Sequence, residues 1–122
     1  MTGLEYLITE TDGITIIAFL RPPDIELFTT AAADIRANYP NKRRLWDLSS
    51  GLNLSPHNLR RIGETARSVD ADIEKVAIVV NTQSDYGLIR MFSVHRARVQ
   101  MSLEIFHDRT KALDWIKESR NA

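Results

Sequence analysis

The chain has no cysteine among its 122 residues, and its five glycines, four prolines and 7% aromatic residues are thinly spread. Without cysteine there are no disulfides, thiol nucleophiles or thiolate metal sites, a composition compatible with a reducing cytoplasm. No GxGxxG or GxxxxGK pattern occurs, which disfavours a nucleotide fold built on a phosphate loop. An excess of one charge is also missing. With 16 basic and 16 acidic residues the formal charge is zero, so no global field steers the protein toward nucleic acid or an anionic membrane. No apolar run approaches the roughly 18 residues that span a bilayer, and the opening MTGLEYLITETDG does not resemble a signal sequence. These absences predict one soluble, cytoplasmic domain over residues 1–122, with no transmembrane segment and no nucleic-acid partner.

What is present is a regular succession of strand and helix signals. "LEYLITETDGITIIAFL" holds two β-branched runs around Asp12-Gly13, the mark of an antiparallel hairpin. Asp24 is placed to cap a helix with Phe28, Ala31 or Ala32, Ile35 and Tyr39 on one face, ending before Pro40. "RRLWDL" reads as a short central strand, and Ser55-Pro56 as a helix start, since serine accepts from free amides and proline has none to leave unpaired. The spacing of Leu59, Ile62, Ala66 and Val69 predicts an inward face, with Arg60, Arg61, Glu64 and Arg67 elsewhere. "KVAIVVN" has the continuous apolar character of a strand covered on both sides. A third helix is expected to begin near Ser84 or Asp85, with Leu88, Phe92 and Val99 inward and Arg90, Arg96 and Arg98 mostly outward. "MSLEIF" supplies a last strand, and Asp108 caps a final helix bearing Ala112, Leu113 and Ile116. The order ββαβαβαβα implies an α/β fold: an opening antiparallel hairpin, then mainly parallel strands joined by right-handed crossovers, with helices packed on a mixed sheet.

The chemistry-bearing residues gather after the third strand. Asp47 falls at its carboxyl end, where open α/β sheets place ligands and reactive groups. A phosphoacceptor role would call for an acidic pair after the first strand and a lysine after the last, and neither is present, so Asp47 reads as a strand terminator bonding loop amides. Ser49, Ser50 and Ser55 offer hydroxyls, but no histidine of the three (His57, His95, His107) has a carboxylate partner at a diagnostic spacing, and "SSGLNLS" is no nucleophile elbow. Neither HxxxH nor HExxH occurs, so no metal or cofactor is expected. Charge is uneven along the chain: residues 1–39 hold six acidic and two basic residues, whereas residues 40–67 hold six basic and two acidic. Arg60, Arg61, Arg67, Arg90, Arg96 and Arg98 form a basic face for an anionic partner or headgroup if the second and third helices are neighbours, but solvated helix faces are the default explanation of such charges.

The chain as a whole resembles the small bacterial SpoIIAA-like proteins, relatives of the STAS domain (sulfate transporter and anti-sigma factor antagonist) sometimes grouped with the Sec14-like lipid-binding fold. The resemblance rests on the hairpin, "RRLWDLS", "EKVAIVV" and "LEIFHDRTKALDWIKE", which is similar to that family's closing phenylalanine, acidic turn and alanine-tryptophan helix. It implies a SpoIIAA-like (STAS-like) fold and, from antagonists whose DSSG-type serine is phosphorylated, a switch at Ser49, Ser50 or Ser55. "DLSSG" is similar in letters, with Leu48 between Asp47 and the serine pair.

Two functions follow as expectations. The first is a non-enzymatic regulatory or protein-interaction module that binds a protein partner or itself, through Asp47, Ser49, Ser50, Ser55, Arg60 and Arg61. The second is a carrier of a small apolar ligand or lipid, held between the sheet and the third helix by Tyr86, Leu88, Ile89, Met91 and Phe92. An enzyme ranks third, because no acid, base, nucleophile and oxyanion-stabilising group can be assembled from recognisable spacing.

Overall fold

Asp12 and Gly13 both take positive φ, 51° and 77°, the paired left-handed conformation that lets a two-residue turn match the twist of the strands it joins. In this computed structural model, which describes residues 5–96 and 101–118 and at positions 95 and 96 the backbone alone, that turn links β1 (Tyr6–Thr11) to β2 (Ile14–Phe19). The two pair antiparallel, with Ile8 opposite Ile17. The chain continues through α1 (Ile25–Asn38), β3 (Arg43–Asp47), α2 (Pro56–Val69), β4 (Lys75–Val79), α3 (Gln83–Arg96), β5 (Ser102–Phe106) and α4 (Arg109–Lys117). The five strands lie side by side in chain order, and β2 through β5 are parallel. Because every crossover steps in the same direction, right-handed connections place α1, α2 and α3 on one face of the sheet. The helix after the last strand, α4, covers the other.

Alternation along the strands divides the core between these faces. Ile17, Phe19, Trp46, Leu48, Val76 and Ile78 point toward α1, α2 and α3. Ile14, Ile16, Leu45, Ala77 and Val79 point toward Ala112 and Ile116 of α4. The same alternation puts Arg44 on the three-helix face beside Trp46, and Arg43, Lys75 and Asp47 on the α4 face. On the three-helix side, Phe28 stacks on Trp46 at 4.9 Å between ring centroids and on Phe19 at 5.8 Å. Such aromatic pairs add about 0.5–1.5 kcal/mol each beyond the area they bury.

The helix starts follow their caps. Asp24 accepts from the Leu27 amide at 2.9 Å, Ser55 from Asn58 at 3.1 Å, and Asp108 from Thr110 at 2.8 Å. Helix α3 begins at Gln83, next to the expected Ser84, where Thr82 Oγ1 accepts from the Asp85 amide at 3.1 Å. Its buried face is formed by Ile89 and Phe92, with Leu88 only partly buried. Val69 departs from the expectation. The apolar spacing placed it inward, but it is the last residue of α2 and 55% exposed, standing where the chain already turns at Asp70 toward β4. The expectations for Val99 and Arg98, and for the side chains of His95 and Arg96, fall outside the described residues.

The far end of α4 is held by cations from the sheet. Lys75, buried at the start of β4, donates from Nζ to the carbonyls of Trp115 at 2.6 Å and Glu118 at 2.9 Å and lies 4.4 Å over the Trp115 ring. Arg43 Nη1 donates to the carbonyls of Ile116 and Glu118. Positive charge at a helix carboxyl end satisfies carbonyls that lack intrahelical partners and opposes the negative end of the helix dipole.

Candidate functional site

The loop that follows β3 is pinned at every step. The Leu48 amide donates to the Val79 carbonyl at 2.8 Å, which extends the β3–β4 pairing past Asp47. The Gly51 amide then donates to the Leu48 carbonyl at 3.0 Å, closing a β-turn with Ser49 and Ser50 at its two corners. Gly51 sits at φ 113°, and a Cβ there would lie 3.3 Å from Pro22 Cγ, so both backbone conformation and space call for glycine. Next, the Asn53 amide donates to the Pro23 carbonyl and Leu54 is buried, which delivers the chain to the Ser55 cap of α2. The result is a fixed loop that leaves Ser49 and Ser50 exposed, with Ser55 and His57 exposed at the start of the helix.

Asp47 lies beneath this turn, buried to 7% exposure. Its Oδ1 accepts from the Ser49 amide at 3.0 Å and its Oδ2 from Arg109 Nη1 at 3.1 Å. Both oxygens therefore work in the loop and its junction with α4, the strand-terminating role expected from the sequence. At the same edge, His107 stacks on Tyr86 at 5.4 Å, and its Nδ1 lies 3.2 Å from the Val80 carbonyl, to which the Nδ1–H tautomer donates. Arg60 and Arg61 are exposed on α2, Arg60 with its Nε 3.4 Å from Glu64 one turn on and Arg61 at the edge facing α1. The structure thus brings Ser49, Ser50, Ser55, Arg60 and Arg61 to one loop-and-helix surface, with Asp47 as its buried anchor. Among the described residues, no group of three His, Asp or Glu side chains is arranged to hold a metal ion.

A second feature lies on the three-helix face. Helix α2 packs closely on α3, whereas the seam between α1 and α2 is lined by Thr29, Arg36, Asn58, Arg61 and Thr65 and leaves a groove of about 240 Å³. Phe28, Ala32, Arg36 and Ile62 form walls common to this groove and to an inner cavity of about 40 Å³ above Trp46. Of the expected pocket residues, Ile89 and Phe92 line that inner cavity. Tyr86 and Leu88 pack at the margin of the core, and Met91 is 42% exposed. Of these two spaces among the described residues, the larger lies between α1 and α2.

Sequence inspection missed the polar end of the cavity. Arg44, 7% exposed, and Asp70, 5% exposed, are paired at 3.2 Å. Arg36 grips the same carboxylate in a fork, Nε to Oδ1 at 3.0 Å and Nη2 to Oδ2 at 2.9 Å. Burial alone would raise the Asp70 carboxyl, but the hydrogen bond from Arg36 and the charges of Arg44 and Arg36 hold it below the usual carboxylate range. Arg44 Nε is buried with no hydrogen-bond partner among the described residues. These three residues come from β3, α1 and the end of α2, so no local spacing announces them. A single charged residue inside the apolar run of a buried strand, Arg44 in "RRLWDL", was the only available signal.

No family model matches the chain, and no curated protein matches it. Among solved structures it is similar to an uncharacterized protein from the DUF3478 family with a SpoIIAA-like fold from Shewanella loihica PV-4, at 15% identity and a TM-score of 0.59, covering 95% of this chain and 98% of that one. The class of protein defined here is therefore an α/β domain with the SpoIIAA-like fold, and the likeness extends over almost the whole chain.

Proposed function

We propose that this protein is a non-enzymatic, STAS-like regulatory module that binds a protein partner, or a second copy of itself, through the Ser49–Ser55 loop and the exposed side of α2. The observation that carries this reading is the pinned turn: backbone hydrogen bonds and a required glycine hold Ser49 and Ser50 out to solvent beside a helix presenting Arg60 and Arg61. A surface fixed before binding loses less conformational freedom when a partner docks. Phosphorylation of a serine there would add roughly 1.5 to 2 negative charges to the contact surface, enough to change which partner it accepts. Asp47 accepts from the Ser49 amide and from Arg109, which supports reading it as an anchor of the loop. The test is affinity capture and concentration-dependent sedimentation with wild type and a Ser50→Glu variant. A partner or dimer lost in the variant supports the reading, and identical behaviour of a monomeric wild type and variant removes it.

The α1–α2 groove favours a second reading, binding of a small apolar ligand. The groove, about 240 Å³, is open to solvent and combines the apolar side chains of Ile25, Phe28 and Ile62 with a polar edge of Thr29, Asn58 and Thr65. Thermal stabilisation by small aromatic or aliphatic compounds would support it, and no shift across such a panel would count against it.

A further inference from the structure

The opening hairpin turns one row of its backbone groups away from the sheet. The Leu20 amide donates to the Glu5 carbonyl at 2.9 Å, and the register runs unbroken from Tyr6 opposite Phe19 to Thr11 opposite Ile14. Hydrogen-bonded and non-hydrogen-bonded positions alternate along an antiparallel pair. Glu5, Leu7, Thr9 and Thr11 therefore bond to β2, and the amides and carbonyls of Tyr6, Ile8 and Glu10 point the other way. Among the described residues no strand lies on that side, since β1 is the first strand of the sheet.

Such an edge pairs readily with another strand unless it is short, bulged or guarded by proline or lysine. β1 has six residues, YLITET, with neither proline nor lysine, and its pairing with β2 contains no bulge. Its one charged side chain, Glu10, accepts from Asn41 Nδ2 at 3.0 Å and is drawn back toward the loop ahead of β3. Leu7, opposite Ala18 on the α4 face, is an exposed apolar side chain beside the edge.

Hydrogen bonding and charge select the occupant. A second β1, antiparallel and related by a two-fold axis normal to the sheet, keeps each face of one sheet continuous with the same face of the other. Centred on Ile8, this arrangement sets Ile8 opposite Ile8 and Tyr6 opposite Glu10 in both directions, so all the outward-pointing residues exchange bonds, about six in total. Centring on Tyr6, Leu7 or Thr9 gives fewer bonds among the described residues, and centring on Glu10 sets two carboxylates opposite one another, which opposes pairing. In the Ile8 register Leu7 also meets Thr9 of the second copy. We infer that β1 is a docking edge for β1 of a second copy, paired antiparallel about Ile8, so that two five-stranded sheets become one. This surface is separate from the Ser49–Ser55 loop, and an isologous contact of this kind closes at two copies. The contact is small, so a dissociation constant on the order of 10–100 μM is expected.

The experiment follows the full chain by sedimentation and by amide exchange in isotope-edited NMR, from about 5 μM to about 1 mM, a range that brackets that constant. The expected result is a monomer–dimer equilibrium in which the Tyr6, Ile8 and Glu10 amides gain about tenfold or more in protection as concentration rises. The Leu7 and Thr9 amides, already bonded to β2, change little. Leu7→Lys/Thr9→Lys alters two exposed positions, sets lysines opposite one another across the axis, and is expected to give a folded monomer. The alternating exchange pattern in the wild type decides the matter even if that variant does not fold. A chain that stays monomeric throughout, or a dimer in which all β1 amides respond alike, would overturn the edge. A dimer that survives both lysines but is lost in Arg60→Glu/Arg61→Glu would also overturn it, and would move self-association to the α2 surface.

Discussion

Arg109, at the first position of α4, donates to Asp47 at the end of β3 across 62 residues of sequence, at 3.1 Å. This contact joins the serine-bearing loop to the opposite face of the sheet, because the other Asp47 oxygen holds the Ser49 amide. The two ends of the pair differ in environment. Arg109 is 45% exposed at its side chain, and Asp47 10%. Arg109→Ala is therefore expected to cost less than about 1 kcal/mol, as a solvent-screened pair does. Asp47→Ala also orphans the Ser49 amide and is expected to cost about 2 kcal/mol. Urea unfolding of the two variants gives the comparison, and hydrogen exchange should show the Ser49 amide losing protection in the second only.

Acid is expected to weaken the protein through Asp70. Its folded pKa lies below the unfolded value, so its contribution is complete above that unfolded value, near 3.9, and is lost as pH falls through the folded one. Asp70→Asn should flatten the stability profile below about pH 4. At neutral pH it should cost about 3 kcal/mol, since Arg44 would keep a buried, uncompensated charge. Chemical denaturation at a series of pH values checks both statements.

Lys75→Met keeps the aliphatic stem against Trp115 but removes the donor from two carbonyls at the end of α4. A loss of about 2 kcal/mol is expected, in the range of hydrogen bonds to charged groups. Amide exchange should accelerate in α4 before it does in α1 or α2, because among the described residues α4 is the one helix on its face of the sheet.

Gly51→Ala combines a strained φ with a close approach to Pro22 and is expected to cost about 1–2 kcal/mol. Its diagnostic effect is local. The Ser49 and Ser50 amides should exchange faster, and any partner bound through the turn should be held more weakly.

How far the sequence led depended on whether a feature was local. Asp24, Ser55 and Asp108 each announce a helix by a short-range hydrogen bond, and Asp12-Gly13 announces its turn by a backbone demand that few other residues meet. The order of elements then follows, and with it the side of the sheet on which each helix must lie. The start of α3 at Gln83 falls beside the expected Ser84, and Thr82, just ahead of the apolar period, supplies its cap. Val69 matched the period of α2 but not its length, since the covering core ends one turn earlier. The groove and the Arg36–Asp70–Arg44 cluster were not legible, because they arise where α1, α2 and β3 converge. Similarly, nothing in "DLSSG" shows that the second Asp47 oxygen, beyond the one on the Ser49 amide, is taken by Arg109, which depends on the placement of α4.

The proposed protein-binding surface is the Ser49–Ser55 loop with the exposed side of α2. Its most direct test is quantitative affinity capture from cells that naturally make the protein, with wild type and an Arg60→Glu/Arg61→Glu variant compared side by side. Both arginines are exposed, so the variant should keep its fold, which circular dichroism verifies. The expected result is at least one protein, another chain or a second copy of this one, enriched about tenfold on the wild type and lost on the variant, a difference of about 1.4 kcal/mol. Identical capture by the two baits would contradict the account.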